Sequence, residues 1–321
     1  MNKKSNSPLV SIAMCVYNGA RYLEAQLESI LCQTYSNIEL VVIDDCSTDN
    51  SYEILNQFAT KHSNITLQRN QVNIGYVKNF EKALKACQGE FIALSDQDDI
   101  WCSHKIQKQM DAIGSNILVY HDSQFMNEDG SKISKRMSNI INMVEGENPN
   151  KLLLFNSISG HSCLFHKNLL YYILPLESDY FHDHWLGYVA MNVGSVSYLP
   201  EILVQYRQHE HSSTDILNKR KVKDARYHEN RDVRKLKGEL RWLKKCQSFP
   251  YNNNQAFLDE FVTLFENRIN DFISFQYFQF IRKHYSELHY IQKKRKGSKQ
   301  GYIYRQVWGL KAKVIWGKLF G

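Results

Sequence analysis

Residues 91–101 read FIALSDQDDIW. An apolar run, Phe91-Ile92-Ala93-Leu94, ends on three carboxylates within four residues, Asp96, Asp98 and Asp99. Two carboxylates about 5 Å apart repel by roughly 3 kcal/mol at an effective dielectric near 20. Local strand or turn preference spans only about 1 kcal/mol. Propensity does not account for the cluster, and a positive partner at the end of a buried strand does.

Upstream, the same unit recurs. Val10–Val16 is short and apolar and runs into Tyr17-Asn18-Gly19, after which Leu23, Leu27, Ile30 and Leu31 repeat at helical spacing. Ile38–Ile43 predicts a second buried strand ending on Asp44-Asp45. Ser47-Thr48-Asp49 then opens a helix carrying Leu55, Phe58 and Ala59. Ile65–Gln68 predicts a third strand, Gly75–Gln88 a helix and Phe91–Leu94 the fourth strand. This alternation predicts an α/β fold, a parallel sheet covered by helices. Ligands of such sheets bind beyond the carboxyl ends of the strands, where Tyr17-Asn18-Gly19, Asp44-Asp45 and Asp96–Asp99 all fall.

Farther along, Lys105–Ile113 predicts a helix and Ile117–Tyr120 a strand, while the polar residues 121–150 predict loops. His184–Asn192 predicts a helix and Ile202–Tyr206 a strand. From Lys219 the pattern is of long helices, with stripes Val233, Leu236, Leu240, Leu243 and Phe257, Phe261, Leu264, Phe265, Phe272, Phe275. The expected division is a sheet domain over 1–215 and a helical region over 216–321.

Apolar residues make up 43% of the 321, which excludes a disordered chain. The seven cysteines are scattered, odd in number and without a CxxC pair, which argues against a zinc knuckle or a disulfide framework. No run approaches 18 apolar residues, and the N-terminal run lacks a convincing cleavage site. A cytoplasmic location is the expectation.

With neither GxGxxG nor GxxxxGK[ST], the sheet lacks the usual glycine-rich phosphate cradles. A cation bridging carboxylates to phosphates is the natural substitute. Asp98, with Asp96 or Asp99, suits Mg²⁺ or Mn²⁺; an acidic turn capping the next helix is the structural alternative.

The segments VSIAMCVYNG, SILCQTYSNIELVVIDDCSTDNS, NIGYVKNFEKAL and GEFIALSDQDDIW, in this order and spacing, resemble the inverting GT-A-type glycosyltransferases of family 2. With the later HDHW and YRQH, the resemblance is strongest to bacterial rhamnosyltransferase-type members and covers about residues 8–212. It implies that Val16, Tyr17 and Asn18 line a base and ribose pocket. It implies that Asp45, or Asp44 one register away, accepts from a pyrimidine N3–H, and that Asn79 is a further nucleotide contact. Asp96 would approach ribose or diphosphate and Asp98 would bind the metal, Mn²⁺ or Mg²⁺. His209, with His211 as the alternative, would complete the metal site, and Arg207 would grip phosphate oxygens. Asp183 would be the general base, with an N-terminal helix cap as its structural alternative. His161 would touch the acceptor or sit as a satisfied core histidine. The implied reaction takes a sugar from a nucleotide donor, dTDP-L-rhamnose or a UDP-hexose, to a hydroxyl of a surface polysaccharide or lipid-linked glycan. A metal-dependent nucleotidyltransferase would need a glycine- and basic-rich early loop, which VYNGARY does not supply. A non-catalytic sugar-nucleotide-binding protein would not need Asp183.

Residues 281–321 hold eleven Lys/Arg and one acid, Glu287, so they carry +10 of the net +7 and residues 1–280 carry −3. Ile303, Val307, Leu310 and Val314 fall on one helical face with Trp308 and Trp316 nearby, a pattern that predicts either a helix on a membrane surface or an ordinary helix packed on the body with a solvated lysine face, rather than a nucleic-acid partner.

Overall fold

The computed structural model describes residues 7–209, 231–293, 296–312 and 315; His211, the expected boundary near 215, Val314 and Trp316 lie outside the described residues. The chain divides into two compact units, Met1–Glu147 with Ser157–Ser212, and Asn148–Asn156 with Ser213–Gly321.

The first unit is built on one mixed sheet. Its strands are β1 (Val10–Val16), β2 (Ile38–Asp44), β3 (Ile65–Arg69), β4 (Phe91–Ser95), β5 (Ile100–Trp101), β6 (Leu118–Met126), β7 (Lys132–Arg136), β8 (Cys163–His166) and β9 (Val196–Arg207). The order is β3-β2-β1-β4-β8-β6-β9-β5, with β7 on the flank of β6. β1, β2, β3 and β4 pair in parallel, β8 runs against β4 and β6, and β6 and β9 are parallel. Helices cover the parallel strands on both faces, so β1 is buried almost throughout and reads as a continuous apolar run. Helix α1 (Ala20–Leu31) buries Leu23, Leu27 and Ile30, one stripe at helical spacing. α2 (Ser51–Lys61), α3 (Tyr76–Ala86) and α4 (Lys105–Ile113) complete the layers.

Up to Ile113 the elements stand where the periodicity puts them, with ends shifted by one or two residues. Beyond it the polar stretch differs from expectation. β6 runs through His121-Asp122-Ser123, all buried, instead of stopping at Tyr120. Internal partners make this possible. Asp122 accepts from Ser123 N, Ser138 N and Ser138 Oγ, and Ser123 Oγ bonds His161 Nε2 at 2.8 Å. Two short helices, α5 (Met137–Ile140) and α6 (Leu170–Ile173), precede α7 (His182–Val193).

The second unit contains α8 (Arg231–Gln247), α9 (Gln255–Asn270), α10 (Phe275–Leu288) and α11 (Lys296–Arg305). It also takes in Asn148–Asn156: Trp242 Nε1 donates to Leu153 O at 3.0 Å, and Asn148 and Asn150 both donate to Glu287 Oε1. Two expected stripes break here. Phe272 and Phe275 are exposed beyond the end of α9. Ile303, Val307 and Leu310 do not share one helix, because α11 ends at Arg305 and Leu310 is buried. Among the described residues, no helix is long and apolar enough to cross a membrane.

Candidate active site

The carboxylate loop is pinned at both ends. β4 delivers it from the middle of the sheet, and β5 immediately pairs with β9, Ile100 against Gln205 and Trp101 against Val204. Asp96, Gln97, Asp98 and Asp99 are thus confined to one tight excursion at the carboxyl edge. The end of β9 then reaches back to it. Arg207 N donates to Asp99 Oδ1 at 3.0 Å, and Arg207 Nε donates to Asp98 O at 2.7 Å. Its Nη1 donates to Glu128 O at 2.8 Å, and the guanidinium lies over the Tyr22 ring. The expected phosphate grip by Arg207 would have to compete with these carbonyls for Nε and Nη1. Arg207 is a buried clamp on the loop. Two residues on, His209 Nε2 lies 2.7 Å from Asp98 Oδ2, so the two residues expected at a metal are in direct contact.

Gln97 joins this loop to the end of β1. Its Oε1 accepts from Tyr17 N at 2.8 Å, and its Nε2 donates to Tyr17 O at 3.1 Å. A Cβ at Gly19 would stand 2.5 Å from Gln97 Cδ, so residue 19 must be glycine for the clamp to close. Across it, Asn18 (φ 48°) and Cys46 (φ 62°) hold left-handed backbones, which cost of order 1–3 kcal/mol and gather at ligand sites. Asn18 N donates to Ser47 Oγ, and Asn18 Oδ1 accepts from Thr48 N at 2.8 Å. Tyr17 is left with 47% of its surface free beside this turn.

Of the other expected nucleotide contacts, Val16 is buried in the core and offers no side chain to a pocket. Asn79 is also buried; its Nδ2 donates to Ile43 O and its Oδ1 accepts from Asn70 Nδ2. It acts on a ligand only through Asn70, which in turn donates to Asp45 Oδ1 at 2.7 Å. Asp45 also accepts from Ile74 N and Gly75 N, both at 2.9 Å. A carboxylate has about four acceptor positions, so one remains for a base. Asp44, the alternative, is fully buried against Ser47 N and Arg69 Nε.

Asp183 is the second residue of α7, and it accepts from Gly160 N at 3.2 Å through Oδ2. It therefore lies inside the helix and not at its N-cap, Phe181, which corrects the capping alternative. Its charge still suits the positive end of the helix dipole. Beside it, His182 stacks on Phe80 at 4.3 Å. Neither of its ring nitrogens has a hydrogen-bond partner among the described residues.

His161 follows Gly160 and links this corner to the loop. It is buried, stacked on Tyr206, and places Nδ1 4.0 Å from both Asp96 Oδ2 and Asp99 Oδ2. Burial and the nearby Lys105 amine push its pKa down to about 3, so the imidazole is neutral. Asp96, Asp99 and His161 each bring a potential ligand atom within 4.8 Å of the others. The fit to a divalent cation is supported by Asp99 Oδ2, which is buried without a hydrogen-bond partner, and by the fixing of His161 Nε2 on Ser123. Two oxygens and an imidazole nitrogen suit Mn²⁺ better than Mg²⁺. Asp96 is recessed yet 43% reachable by solvent; burial, Asp98 and Asp183 push its carboxyl up to about 7. Lys105 lies beneath, its amine 3.4 Å from the Trp101 ring centroid, and burial pushes it down to about 7. The grouping of Asp99 with His161 and the clamp of Gln97 carry no local sequence signal; both arise where separate strands converge.

Similar proteins are found by sequence and by structure. An "Uncharacterized glycosyltransferase" of Haemophilus influenzae is 27% identical over 254 residues, 73% of each chain. The "Putative teichuronic acid biosynthesis glycosyltransferase TuaG" of Bacillus subtilis is 32% identical over 130 residues, covering 40% of this chain and 52% of that one. The crystal structure of S. aureus TarS 1-349 in complex with UDP-GlcNAc superimposes with a TM-score of 0.57 at 18% identity, covering 94% of this chain and 82% of that one. The fold is thus the GT-A fold, with a helical C-terminal region. Residues 11–174 match Glycosyl transferase family 2, and with the carboxylate loop at the end of β4 the chain belongs to that family.

Proposed function

We propose that this glycosyltransferase is metal-dependent and inverting, and that it transfers a sugar from a pyrimidine nucleoside diphosphate donor to a hydroxyl of a bacterial surface polysaccharide or lipid-linked glycan. The observation that carries the reading is the convergence of Asp183, Asp96, Asp98, Asp99, His161 and His209 at one corner of the carboxyl edge. Inversion needs a single base on the face opposite the leaving group. Asp183 takes the proton of the acceptor hydroxyl as its oxygen bonds the anomeric carbon. The bond from that carbon to the diphosphate oxygen breaks, and the diphosphate leaves with the electron pair. Asp96, Asp99 and His161, with Asp98 and His209 beside them, would hold a divalent cation, which supplies positive charge to the diphosphate. Asp45 retains an acceptor for N3–H, a group that thymine and uracil share.

Two donors follow from this. dTDP-L-rhamnose is the one implied by the resemblance to rhamnosyltransferase-type members. A UDP-sugar is supported by the TarS neighbour, solved with UDP-GlcNAc. The acceptor class is supported by TuaG, whose name assigns it to teichuronic acid biosynthesis. The test is release of nucleoside diphosphate with Mn²⁺ across a panel of dTDP- and UDP-sugars. Turnover of one or a few donors is expected. Pyrophosphate release from a nucleoside triphosphate, with every sugar nucleotide inert, would replace the reading with nucleotidyl transfer.

A further inference from the structure

We propose that the helical unit carries a docking surface for an anionic lipid bilayer, formed by Phe272, Ile273, Phe275, Tyr304 and Trp308. All five are more than half exposed. They come from two stretches far apart in sequence that the fold closes into one patch. Ile273 and Trp308 form an antiparallel bridge, Ser274 N donates to Val307 O at 2.7 Å, and Gly309 N donates to Phe272 O at 2.9 Å. Gly309 is what permits this approach: a Cβ there would stand 1.9 Å from Asp271 O. Tyr304 joins through Phe278, its ring 6.0 Å away, and Phe278 touches Phe275 at 5.8 Å.

Single exposed apolar residues are ordinary, but five drawn together by one backbone pairing call for a partner. Its composition points to a bilayer, since tryptophan and tyrosine favour the headgroup level and phenylalanine and isoleucine the acyl boundary. Its charge points to an anionic one. Lys311 places its amine 5.9 Å from the Phe272 ring, Arg305 is exposed beside Tyr304, and residues 281–321 carry +10. Each basic residue near such a surface strengthens binding about fivefold. The surface lies wholly within the helical unit, and it is independent of the reading of the active site.

The full chain is sedimented with vesicles of phosphatidylglycerol and phosphatidylcholine, and with vesicles of phosphatidylcholine alone. Binding to the mixed vesicles is expected, and it should weaken at 1 M salt, where the screening length shrinks to about 3 Å. The double variant Phe272→Ser/Trp308→Ser should bind at least about tenfold more weakly, while nucleoside diphosphate release from the donor in solution is unchanged. A second measurement needs no large truncation: lipids brominated at the acyl chain should quench the parent's fluorescence more than that of Trp308→Phe. Equal quenching of the two, equal binding by the double variant, or no binding at low salt would overturn the proposal. So would sedimentation velocity in which the parent is a dimer and the double variant a monomer, because a second copy would then cover the patch.

Discussion

Replacing Asp183 by Asn isolates the chemistry from the architecture. Among the described residues, the carboxylate has one hydrogen bond, from Gly160 N to Oδ2 at 3.2 Å, and an amide oxygen at the same place accepts it equally well. The change removes a charge from the first turn of α7, a loss of about 0.3–1 kcal/mol of helix-dipole stabilisation. It also removes a repulsion, since Asp183 is one of the charges that raise Asp96. These oppose each other, so the net change in stability should stay below about 1 kcal/mol, a few degrees in melting temperature for a domain of this size. Turnover is another matter. An amide cannot take the acceptor proton at neutral pH, and loss of a general base costs about 10²–10⁴-fold, or roughly 3–5 kcal/mol of transition-state stabilisation. The assay is sugar transfer to the acceptor under donor saturation, with donor affinity measured separately by calorimetry. Asp183→Asn should melt like the parent, bind donor normally and lose turnover. A folded variant that transfers at the parental rate would refute the assignment, and His182, whose two ring nitrogens have no hydrogen-bond partner among the described residues, would be the next candidate.

Asp98→Asn should weaken nucleoside diphosphate binding in Mn²⁺ with the fold retained; calorimetry giving the parent the same affinity in Mn²⁺ and in EDTA would remove the cation from the site. Arg207→Lys cannot serve both the Asp98 and Glu128 carbonyls with one ammonium, so it should cost about 1–3 kcal/mol in urea unfolding; an unchanged midpoint would mean that the clamp is idle. The raised pKa of Asp96 makes the metal-free protein lose stability as pH rises from the ordinary carboxylate value to about 7, because the folded state holds a proton that the unfolded state has released. Asp96→Asn should accordingly raise the melting temperature at pH 8 in EDTA and leave it nearly unchanged at pH 4, and the opposite order would contradict the sign.

The parallel half of the sheet was legible in the sequence because strands buried on both faces must be apolar throughout, and helices packed on them must repeat at three or four residues. The rest was not, for particular reasons. β6 hides behind His121-Asp122-Ser123, which are polar in sequence and become burial-tolerant only through Ser138 and His161, residues remote in the chain. β5 is two residues long and carries no periodicity. Within the site, Asp98 was legible as a carboxylate at a buried strand end, while the roles of Asp45, His209 and Asp183 were pointed to only by the resemblance to family 2. The hydrogen bonds that Arg207 and Asn79 make within the fold depend on which backbone and side-chain groups lie within reach, and that is decided by pairing between strands.

The charges at the end of β4 explain each other once their partners are separated. Asp98 has His209. Asp99 has the Arg207 amide on one oxygen and, among the described residues, no hydrogen bond on the other. Asp96 receives no hydrogen bond to its carboxylate from any described residue, and its side chain is the one of the three most open to solvent. The neighbouring cations do not fill that gap: the Arg207 guanidinium is turned onto carbonyls, Lys105 is held down to about 7 by burial, and His161 is neutral. The protein therefore brings three carboxylates together and supplies charge for fewer than three. A proton on Asp96 meets the remainder at acid pH, as its raised pKa requires, and the divalent cation proposed above would meet it at neutral pH, so the two would be alternatives at the same oxygens. A strand end built only to turn the chain would have no reason to carry that imbalance; a site whose missing charge arrives with its ligand does.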